Sequence, residues 1–308
     1  MILNNVLGAI GNTPLVSLNN LMKKHELHGS ILAKLEFYSP GLSKKDRIAK
    51  YIIEKAEADG TLQKGQTVIE QTSGNTGIGV AAVCAVKGYP FIAVMSEGNS
   101  PERIMMIKQF NAQIVLVKQH PDSEKGKVNA LDMELVEMVF NDLAEQKGAY
   151  KVGQFYKMDN ALAHYYTTGV EIVNDAPNID LFCDYVGTGG TFEGIAKRLK
   201  EHNKSIKCYI VEPSEAKHII QGGGYLKPIP FADPNNCDGK VKVSNEEALY
   251  WMRELSNVEA IPGGISSGAN LAACVKLIKE HPGKSIVFLV NDPSLKYLSA
   301  NWMQDTGV

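Results

Sequence analysis

The sequence predicts an α/β fold built on parallel sheets, because two patterns typical of that class occur along it. Short runs rich in β-branched residues alternate with amphipathic segments of helix length. In two places, 66–96 and 181–213, a helical segment connects two such runs. Repeated strand–helix–strand units place parallel strands side by side, with helices on both faces of the sheet.

Six segments are the strand candidates, and two segments are the clearest helices between them. The strand candidates are QTVIEQ (66–71), YPFIAVMS (89–96), AQIVLVKQ (112–119), LFCDYVG (181–187), KCYIVEP (207–213) and SIVFLVND (285–292). The helices are GNTGIGVAAVCAVKG (74–88), punctuated by Gly88, and TFEGIAKRLKEHNK (191–204).

The composition favours a small-molecule partner over nucleic acid or a membrane. The chain has 32 Lys and Arg against 34 Asp and Glu, which leaves no basic field for nucleic acid or anionic lipid. The segment MILNNVLGAIGN lacks a basic region, and the longest near-apolar run is far short of roughly 20 residues, so we expect neither signal peptide nor membrane segment. The 5 scattered cysteines suit the cytoplasm, and neither they nor the 7 histidines have metal-ligand spacing.

The stretch GLSKKDRIAKYIIEKAEADG (41–60) places two lysines at the start of a predicted helix. Ser43 is the expected N-cap, and Asp46 lies in the first turn, where a negative charge suits the helix dipole. Helical steps from Lys44 return to charge, whereas steps from Lys45 follow an apolar stripe of Ala49, Ile52 and Ala56. An inward lysine near other cations can serve as a Schiff-base amine, although two ordinary surface lysines are the simpler interpretation.

The segment EQTSGNTGIGVAA (70–82) places small polar residues where a strand ends and a helix begins. Unbonded N–H groups and the positive end of the helix dipole can receive a carboxylate or phosphate there. Ordinary N-capping needs one polar side chain, but this turn holds Thr72, Ser73, Asn75 and Thr76. We therefore favour anion binding over simple capping.

Two later strand-to-helix junctions are similar. In VGTGGTFEG (186–194) the glycines let the backbone approach a phosphate closely. A dinucleotide fingerprint would need glycine at Phe192, so that alternative is weakened, although Glu212 ends the next strand where a ribose acceptor could lie. In GGISSGANLAACVKLI (263–278) two serines precede another helix, which alone indicates a capped helix.

Together with IGNTPLV (10–16), these motifs resemble those of the cysteine synthase family. KLEFYSPGLSKKDRIA (34–49) is similar to the family's KLE-x-x-N-P-x-x-S-V-K-D-R without gaps, and the likeness runs in order from Ile10 to about Leu298. The chain is identified as an O-acetylserine sulfhydrylase-like member of the fold-type II pyridoxal phosphate enzymes, which include cystathionine β-synthase. The resemblance implies two open, twisted, mostly parallel sheets flanked by helices, as in tryptophan synthase β, with pyridoxal 5′-phosphate as cofactor.

The resemblance also implies roles for individual residues. Lys45 would bind the cofactor covalently, and Asn75 would face its 3′ oxygen. The substrate carboxylate would contact Thr72, Ser73, Thr76 and Gln154. The phosphate would bind at Gly187, Thr188, Gly189, Gly190 and Thr191, with Ser266 opposite the pyridine nitrogen. Ser39 and Lys44 depart from the family's asparagine and valine beside the cofactor.

The implied reaction is β-elimination and β-replacement on a cysteine-type amino acid through an aminoacrylate intermediate. Loss of hydrosulfide from L-cysteine and addition of water would give L-serine and hydrogen sulfide, whereas O-acetylserine and sulfide would give L-cysteine. An amine or a second cysteine as nucleophile would give diaminopropionate-type or lanthionine-type products. An inactive regulatory relative is the non-enzymatic alternative, and the retention of Lys45 and both anion loops speaks against it.

Two segments depart from the family's pattern. VEPSEAKHIIQGGGYLKPIPFADPNNCDGKVKVSNEEA (211–248) is shorter and lacks the family's Gly-Ala-Gly-Phe run, and VNDPSLKYLS (290–299) replaces P-D-S-G-E-R-Y-L-S. Water is a poor nucleophile that needs a general base. The carboxylate of Asp233 is therefore the predicted general base, with Asp238 as the alternative. A solvated loop acid is the simpler interpretation of either residue.

The domain prediction assigns residues 1–45 and 151–308 to a large cofactor-binding domain and residues 46–150 to a small mobile substrate-binding domain. The resemblance further implies a homodimer. The expected partners are thus an amino-acid substrate and a second copy of the chain.

Overall fold

The computed structural model describes residues 2–72, 74–126, 128–224 and 228–304, and the chain divides into two compact units. Unit 1 comprises Met1–Ile10, Ser39–Lys157 and Lys296–Val308, and unit 2 comprises Gly11–Tyr38 and Met158–Leu295. The predicted large and small domains were defined by cofactor binding and by mobility. The two compact units test neither property, so the domain division stays a prediction.

The described residues form strands and helices that alternate along most of the chain. The strands are β1 (Leu15–Ser17), β2 (Ser30–Leu35), β3 (Val68–Gln71), β4 (Phe91–Ser96), β5 (Gln113–Val117), β6 (Tyr150–Lys151), β7 (Leu181–Tyr185), β8 (Lys207–Pro213), β9 (Gly239–Val243) and β10 (Ser285–Val290). The α-helices are α1 (Asn19–Lys24), α2 (Lys45–Ala58), α3 (Asn75–Lys87), α4 (Pro101–Gln109), α5 (Ala130–Lys147), α6 (Asp159–Tyr166), α7 (Thr168–Asp175), α8 (Gly190–His202), α9 (Asn245–Glu259), α10 (Ile265–Glu280) and α11 (Asn301–Gln304). Short 3-10 helices span Val6–Ala9, Glu36–Tyr38, Pro234–Asn236 and Ser294–Tyr297.

Unit 1 is built on a parallel sheet with the strand order β5-β4-β3-β6. Strands β3 and β4 are buried along their whole length; β4 reads as a nearly continuous apolar run, whereas β3 ends in the buried polar residues Glu70 and Gln71. Val136, Phe140 and Ala144 of α5 pack against Ile69, Ile92 and Val94 of the sheet. The carboxyl end of β3 therefore leads into α3 from a rigid, packed strand.

Unit 2 is built on a sheet with the order β1-β2-β10-β7-β8-β9, in which only the β1–β2 pair is antiparallel among the described strands. One face of this sheet packs on α7 and α8, through residues that include Ile172, Phe192, Ile195 and Leu199. Strands β7 and β10 are almost fully buried, as central strands of a parallel sheet should be. The loop that follows β7 begins at the carboxyl edge of this sheet.

The predicted fold class is confirmed: two mostly parallel sheets are flanked by helices. All six strand candidates are strands, and both predicted helices form; Gly88 ends the first in the left-handed conformation, with φ of 77°. Within the described ranges, no helix is long and apolar enough to cross a membrane.

Candidate active site

Lys45 is the first residue of α2, and Lys44 precedes the helix. Lys44 is buried, with 8% of its surface exposed, whereas Lys45 is half-buried. The two lysines are therefore not separated as the helical faces predicted, because a residue before the first turn need not follow the helical period. The predicted stripe is confirmed, since Ala49, Ile52 and Ala56 are buried.

Ser43 does not cap α2, so that prediction was wrong. Lys44 occupies that position with a helical backbone and no capping side-chain bond, and Ser43 Oγ accepts the Lys45 N–H at 3.3 Å. Asp46 lies in the first turn, as predicted, and its Oδ2 accepts the N–H of Gly41 at 2.5 Å. Asp46 thus closes the turn that leads to Lys45.

The predicted carboxylate-binding segment between β3 and α3 is folded around Thr72. The buried hydroxyl oxygen of Thr72 accepts the N–H groups of Gly74 and Gly77, both at 3.0 Å. Gly74 has φ of 136°, and a Cβ there would lie 2.2 Å from Arg103 Cδ, so only glycine fits. Because the backbone occupies the oxygen's acceptor sites, the hydroxyl proton is what Thr72 can offer a ligand.

Thr76 and Gln154, which are predicted to bind the same carboxylate, meet in the structure. Thr76 Oγ1 donates to Gln154 Oε1 at 2.6 Å, and Gln154 Nε2 donates to the carbonyl of Gln71 at 3.0 Å. Asn75 begins α3, and its Oδ1 accepts Lys296 Nζ at 2.8 Å. Ser73 lies outside the described residues.

Glu70 is a buried acid in β3, two residues before Thr72. Its Oε2 accepts the N–H of Gly153 at 2.7 Å. Burial raises the pKa of Glu70 to about 7, although hydrogen bonds from Gly153 and Gln154 oppose that shift. Glu70 therefore holds the backbone beside Gln154, and its charge changes near neutral pH.

The predicted phosphate loop follows β7 and opens α8, and glycine is required at three of its positions. A Cβ at Gly187 would lie 2.4 Å from the carbonyl oxygen of Gly222, and one at Gly190 would lie 2.4 Å from Asn160 Oδ1. Gly189 has φ of 86°, and its Cβ would lie 2.6 Å from Ile229 Cγ2. The backbone is thus packed too closely for side chains, and the first N–H groups of α8 belong to this loop.

Each threonine of the loop is oriented by a buried neighbour. Asn160 Nδ2 donates to Thr188 Oγ1 at 3.1 Å. His164 is fully buried between two hydroxyl groups, with Nδ1 2.8 Å from Thr168 Oγ1 and Nε2 3.1 Å from Thr191 Oγ1. Thr188 Oγ1 also accepts the N–H of Gly190 at 3.4 Å, so both loop hydroxyl groups are held by neighbours within unit 2.

Ser266 is the second residue of α10 and is buried. Asn291 Nδ2 donates to Ser266 Oγ at 3.1 Å, and the backbone N–H of Asn291 donates to Ser267 Oγ at 3.0 Å. Since Ser266 accepts from Asn291, its own proton is available to an acceptor such as an unprotonated ring nitrogen. Asn291 thus orients the hydroxyl predicted to face the pyridine ring.

The side chains present fit pyridoxal phosphate. A close-packed glycine loop at the start of the 13-residue helix α8 suits a dianionic phosphate. By their chemistry, a hydroxyl donor at Ser266, an amide at Asn75 and an amine at Lys45 suit the roles that the family resemblance implies for them, at the ring nitrogen, the ring oxygen and the aldehyde, respectively.

Asp233 and Asp238, the two candidates for the general base, have different surroundings within unit 2. Asp233 begins the 3-10 helix Pro234–Asn236; its Oδ1 accepts the N–H of Asn235 at 2.8 Å, and its own N–H donates to Glu193 Oε2 at 3.0 Å. Two residues earlier, the N–H of Phe231 donates to the carbonyl of Thr188 at 3.1 Å. The segment that carries Asp233 therefore packs directly on the phosphate loop.

Glu193 of α8 holds this segment by a second bond, from Asn236 Nδ2 to Oε1 at 2.7 Å. Burial raises the pKa of Glu193, and the nearby Asp233 charge adds to the shift, although the hydrogen bonds oppose it. Asp238, in contrast, accepts Lys200 at 2.6 Å and Lys207 at 3.0 Å, at the amino end of β8. Burial works to raise the pKa of Asp238, but these hydrogen bonds outweigh it and lower the pKa.

Sequence patterns did not reveal several of these residues. Glu70 could have been noticed as the charged member of an otherwise apolar strand. Lys296 lies in a segment that departs from the family, but nothing in its spacing points to Asn75. His164 and Asn160 contact the loop from α6, a helix with no polar motif of its own. Among the described residues, no cluster of His, Cys, Asp and Glu could hold a metal.

Comparison with known proteins gives consistent matches over nearly the whole chain. A family model described as pyridoxal-phosphate dependent enzyme matches residues 6–292. A cysteine synthase of Staphylococcus aureus (strain N315) is 36% identical over 314 residues, which cover 96% of each chain. The structure of a hydrogen sulfide-producing enzyme from Fusobacterium nucleatum is 39% identical, with a TM-score of 0.88, and covers 96% of this chain and 100% of that one.

O-Acetyl serine sulfhydrylase isoform 3 from Entamoeba histolytica is also similar. Its structure is 34% identical, with a TM-score of 0.89, and the match covers 99% of this chain and 92% of that one. Each of these three matches covers at least 96% of this chain. The chain is a pyridoxal-phosphate dependent enzyme and belongs to the cysteine synthase family.

Proposed function

We propose that this enzyme takes L-cysteine as its amino-acid substrate, releases hydrogen sulfide and adds water to give L-serine. The observation that carries this direction is the likeness to the hydrogen sulfide-producing enzyme of Fusobacterium nucleatum, at 39% identity over 96% of this chain. The departures of 211–248 and 290–299 from the family's pattern support it, because a changed second-substrate segment suits a changed nucleophile.

Pyridoxal phosphate, when bound, withdraws electrons from the substrate Cα, which makes the Cα proton acidic and the Cβ–S bond labile. The Lys45 amine takes the Cα proton. The Gln154 amide and the backbone N–H groups in the first turn of α3, that of Thr76 among them, bind the substrate carboxylate, while the Thr76 hydroxyl donates its one proton to Gln154 Oε1 at 2.6 Å and so orients that amide. The Thr72 hydroxyl supplies a further donor, and we assign Ser73 to the same group. Ser266 donates to the ring nitrogen.

Water addition needs a base, and we assign this role to Asp233. Its segment is tied to the phosphate loop through Phe231 and to α8 through Glu193, whereas Asp238 is engaged by two lysines. We expect Asp233→Asn to slow serine formation by about 10²-fold or more, while sulfide addition changes little. Asp238→Asn is the matched control, and it should slow neither. Equal slowing of water and sulfide addition by Asp233→Asn would remove Asp233 from the mechanism.

The first experiment is a product assay. Purified protein loaded with pyridoxal phosphate receives L-cysteine alone, and sulfide and serine are followed together. Equal amounts of both products support the proposed direction. Sulfide with pyruvate and ammonium in place of serine would show elimination and hydrolysis at Cα without addition of water at Cβ, and it would leave Asp233 without its role.

Cysteine synthesis from O-acetylserine and sulfide is the second candidate, favoured by the likeness to cysteine synthases and to the Entamoeba histolytica O-acetyl serine sulfhydrylase. Failure to release sulfide from L-cysteine, together with rapid cysteine formation from O-acetylserine and sulfide, would establish this direction. A second cysteine as nucleophile would appear as a lanthionine-type product in the assay with L-cysteine alone, and an amine as nucleophile would appear as a diaminopropionate-type product when an amine is added to that assay.

We also propose that the enzyme is a cytoplasmic homodimer. The family resemblance suggests the dimer, and all 5 cysteines are free thiols, which suits a reducing compartment. Light scattering of the purified protein tests the proposed dimer. The expected mass is about 67 kDa, twice the 33.6 kDa of one chain.

A further inference from the structure

Lys296 is a fully buried lysine in unit 1, with 0% of its surface exposed. Its Nζ donates to the carbonyl oxygen of Gly41 and to Oδ1 of Asn75, both at 2.8 Å. A buried ammonium group is strongly destabilising unless hydrogen bonds replace its lost hydration. These two contacts are therefore charge-assisted bonds that hold their acceptors in place.

One of these bonds reaches the turn that carries Lys45. Gly41 is held from both sides, because its carbonyl accepts Lys296 while its N–H donates to Asp46 Oδ2 at 2.5 Å. A Cβ at Gly41 would lie 2.4 Å from Asp46 Oδ1, so a side chain at this position would displace the Asp46 carboxylate from the turn. Lys296 thus connects the Lys45 turn to the start of α3.

The other bond decides which way the Asn75 amide points. The two ends of an asparagine amide have the same shape, but lysine carries only donors. The Asn75 atom facing Lys296 must therefore be the carbonyl oxygen. The amide nitrogen is directed elsewhere, and it can only donate.

We propose that Lys296 is a positioning residue that fixes Asn75 as a hydrogen-bond donor toward the 3′ oxygen of pyridoxal phosphate and ties this donor to the Lys45 turn. The proposal rests on the cofactor roles proposed for Asn75 and Lys45. Counted back from the shared Tyr-Leu-Ser, Lys296 stands where the family's motif has arginine, so the chain retains a cation there. An arginine would supply the same donors, which makes Lys296→Arg the conservative test.

Lys296→Met keeps the length of the side chain and removes its donors. The Asn75 amide then loses the Lys296 ammonium that selects its oxygen, and we expect the affinity of the apoprotein for pyridoxal phosphate to fall about tenfold. Lys296→Arg should restore most of that affinity. The dissociation constant is measured by titrating apoprotein with pyridoxal phosphate and following the absorption of the bound cofactor.

The decisive comparison is a double-mutant cycle with Asn75→Ala. Because Lys296 also holds Gly41, the double variant should bind pyridoxal phosphate slightly more weakly than Asn75→Ala alone, but much less weakly than the product of the two single losses predicts. If the two losses multiply, Lys296 does not act through Asn75 and the proposal is wrong. Absence of binding by the unmodified protein would instead overturn the proposed function itself.

Asn75→Asp tests the proposal without altering Lys296. One carboxylate oxygen would pair with Lys296, and the other would present an acceptor to the cofactor oxygen. Asn75→Asp should therefore bind pyridoxal phosphate more weakly than Asn75→Ala, and equal or tighter binding would contradict the assigned orientation. This comparison remains available if Lys296→Met does not fold.

Lys34→Met is a matched control. Lys34 is also fully buried, and its Nζ donates to the carbonyl of Thr13 at 2.7 Å and pairs with Glu171 at 3.0 Å. Losing it should lower the melting temperature, as Lys296→Met also should. Cofactor affinity and the absorption maximum should change with Lys296 alone, and a similar change with Lys34→Met would reduce the effect to one of general stability.

Discussion

At the residue scale, the adjacent Lys44 and Lys45 are expected to differ in function. We expect Lys45→Ala to abolish turnover and the absorption band of the lysine-bound cofactor, because alanine has no amine to form that bond. Lys44→Ala should retain the band, although it should lower stability because Lys44 is buried. Absorption spectra and turnover rates check both variants, and normal turnover by Lys45→Ala would exclude the mechanism.

Glu70 makes a pH dependence of stability predictable. Its pKa rises from 4.5 to about 7 in the folded state, so between these values the folded chain binds more protons than the unfolded chain. The stabilisation from the protonated carboxyl is complete below pH 4.5 and is lost as the pH rises through about 7. Glu70→Gln stays neutral and retains an acceptor for the Gly153 N–H.

Glu70→Gln should therefore be more stable than the unmodified enzyme at pH 8, by at most about 3 kcal/mol, and close to it at about pH 4. Urea unfolding at both pH values measures the difference. The exposed Glu145, changed to Gln, controls for loss of a surface charge. A Glu70→Gln effect that is equal at both pH values would mean that the carboxyl is not protonated by burial.

At the element scale, the strands were predictable wherever burial is continuous. Strands β3, β4, β7 and β10 are buried nearly throughout, and their β-branched runs are unmistakable in the sequence. The short strands β1 and β6 offer too few residues for a pattern. Strand β9 alternates exposed lysines with other residues at the end of the sheet, and β2 contains the buried Lys34, which breaks its apolar run.

Within the candidate site, some residues could be predicted from the sequence and others could not. Loops that directly follow a strand, such as the Thr72–Thr76 and Gly187–Thr191 segments, were predictable because strand ends position them. Lys296 and His164 were not, because their partners Asn75 and Thr191 lie 221 and 27 residues away in the sequence. The burial predicted from helical faces was also wrong for Lys44, because this residue precedes the first turn of α2.

Gly190 is where the close packing of α8 can be tested. A Cβ at this position would lie 2.4 Å from Asn160 Oδ1, so Gly190→Ala should displace Asn160 from Thr188 and destabilise the enzyme by about 1–3 kcal/mol. Affinity for pyridoxal phosphate should fall, while affinity for pyridoxal, which lacks the phosphate, should change little.

The matched control is Gly8→Ala, where the new Cβ would meet only the flexible Leu3 side chain, at 3.2 Å. Gly8→Ala should leave both affinities unchanged. Equal weakening of pyridoxal and pyridoxal phosphate binding by Gly190→Ala would show that the loop does not bind the phosphate group.

At the scale of the whole molecule, neither compact unit is one continuous piece of chain. Unit 1 recruits the segment from Lys296 onward, which lies far in sequence from Ser39–Lys157. Lys296 holds Gly41 and Asn75, the Arg103 guanidinium lies 4.6 Å from the centre of the Tyr297 ring, and Ser299 Oγ donates to Glu102 at 2.8 Å. The stability of unit 1 therefore depends on the last described residues of the chain.

A chain ending at Leu295 should accordingly lose the stability of unit 1 before that of unit 2, because both segments of unit 2 remain complete. Limited proteolysis followed by mass spectrometry should find new cleavage within Ser39–Lys157 and retained protection within Met158–Leu295. A chain ending at Gln304 keeps the contacts of Lys296, Tyr297 and Ser299 and is the matched control for shortening the chain. Equal loss of protection in both units would mean that they unfold together, and unchanged protection of unit 1 would show that the contacts of Lys296, Tyr297 and Ser299 are dispensable for its fold.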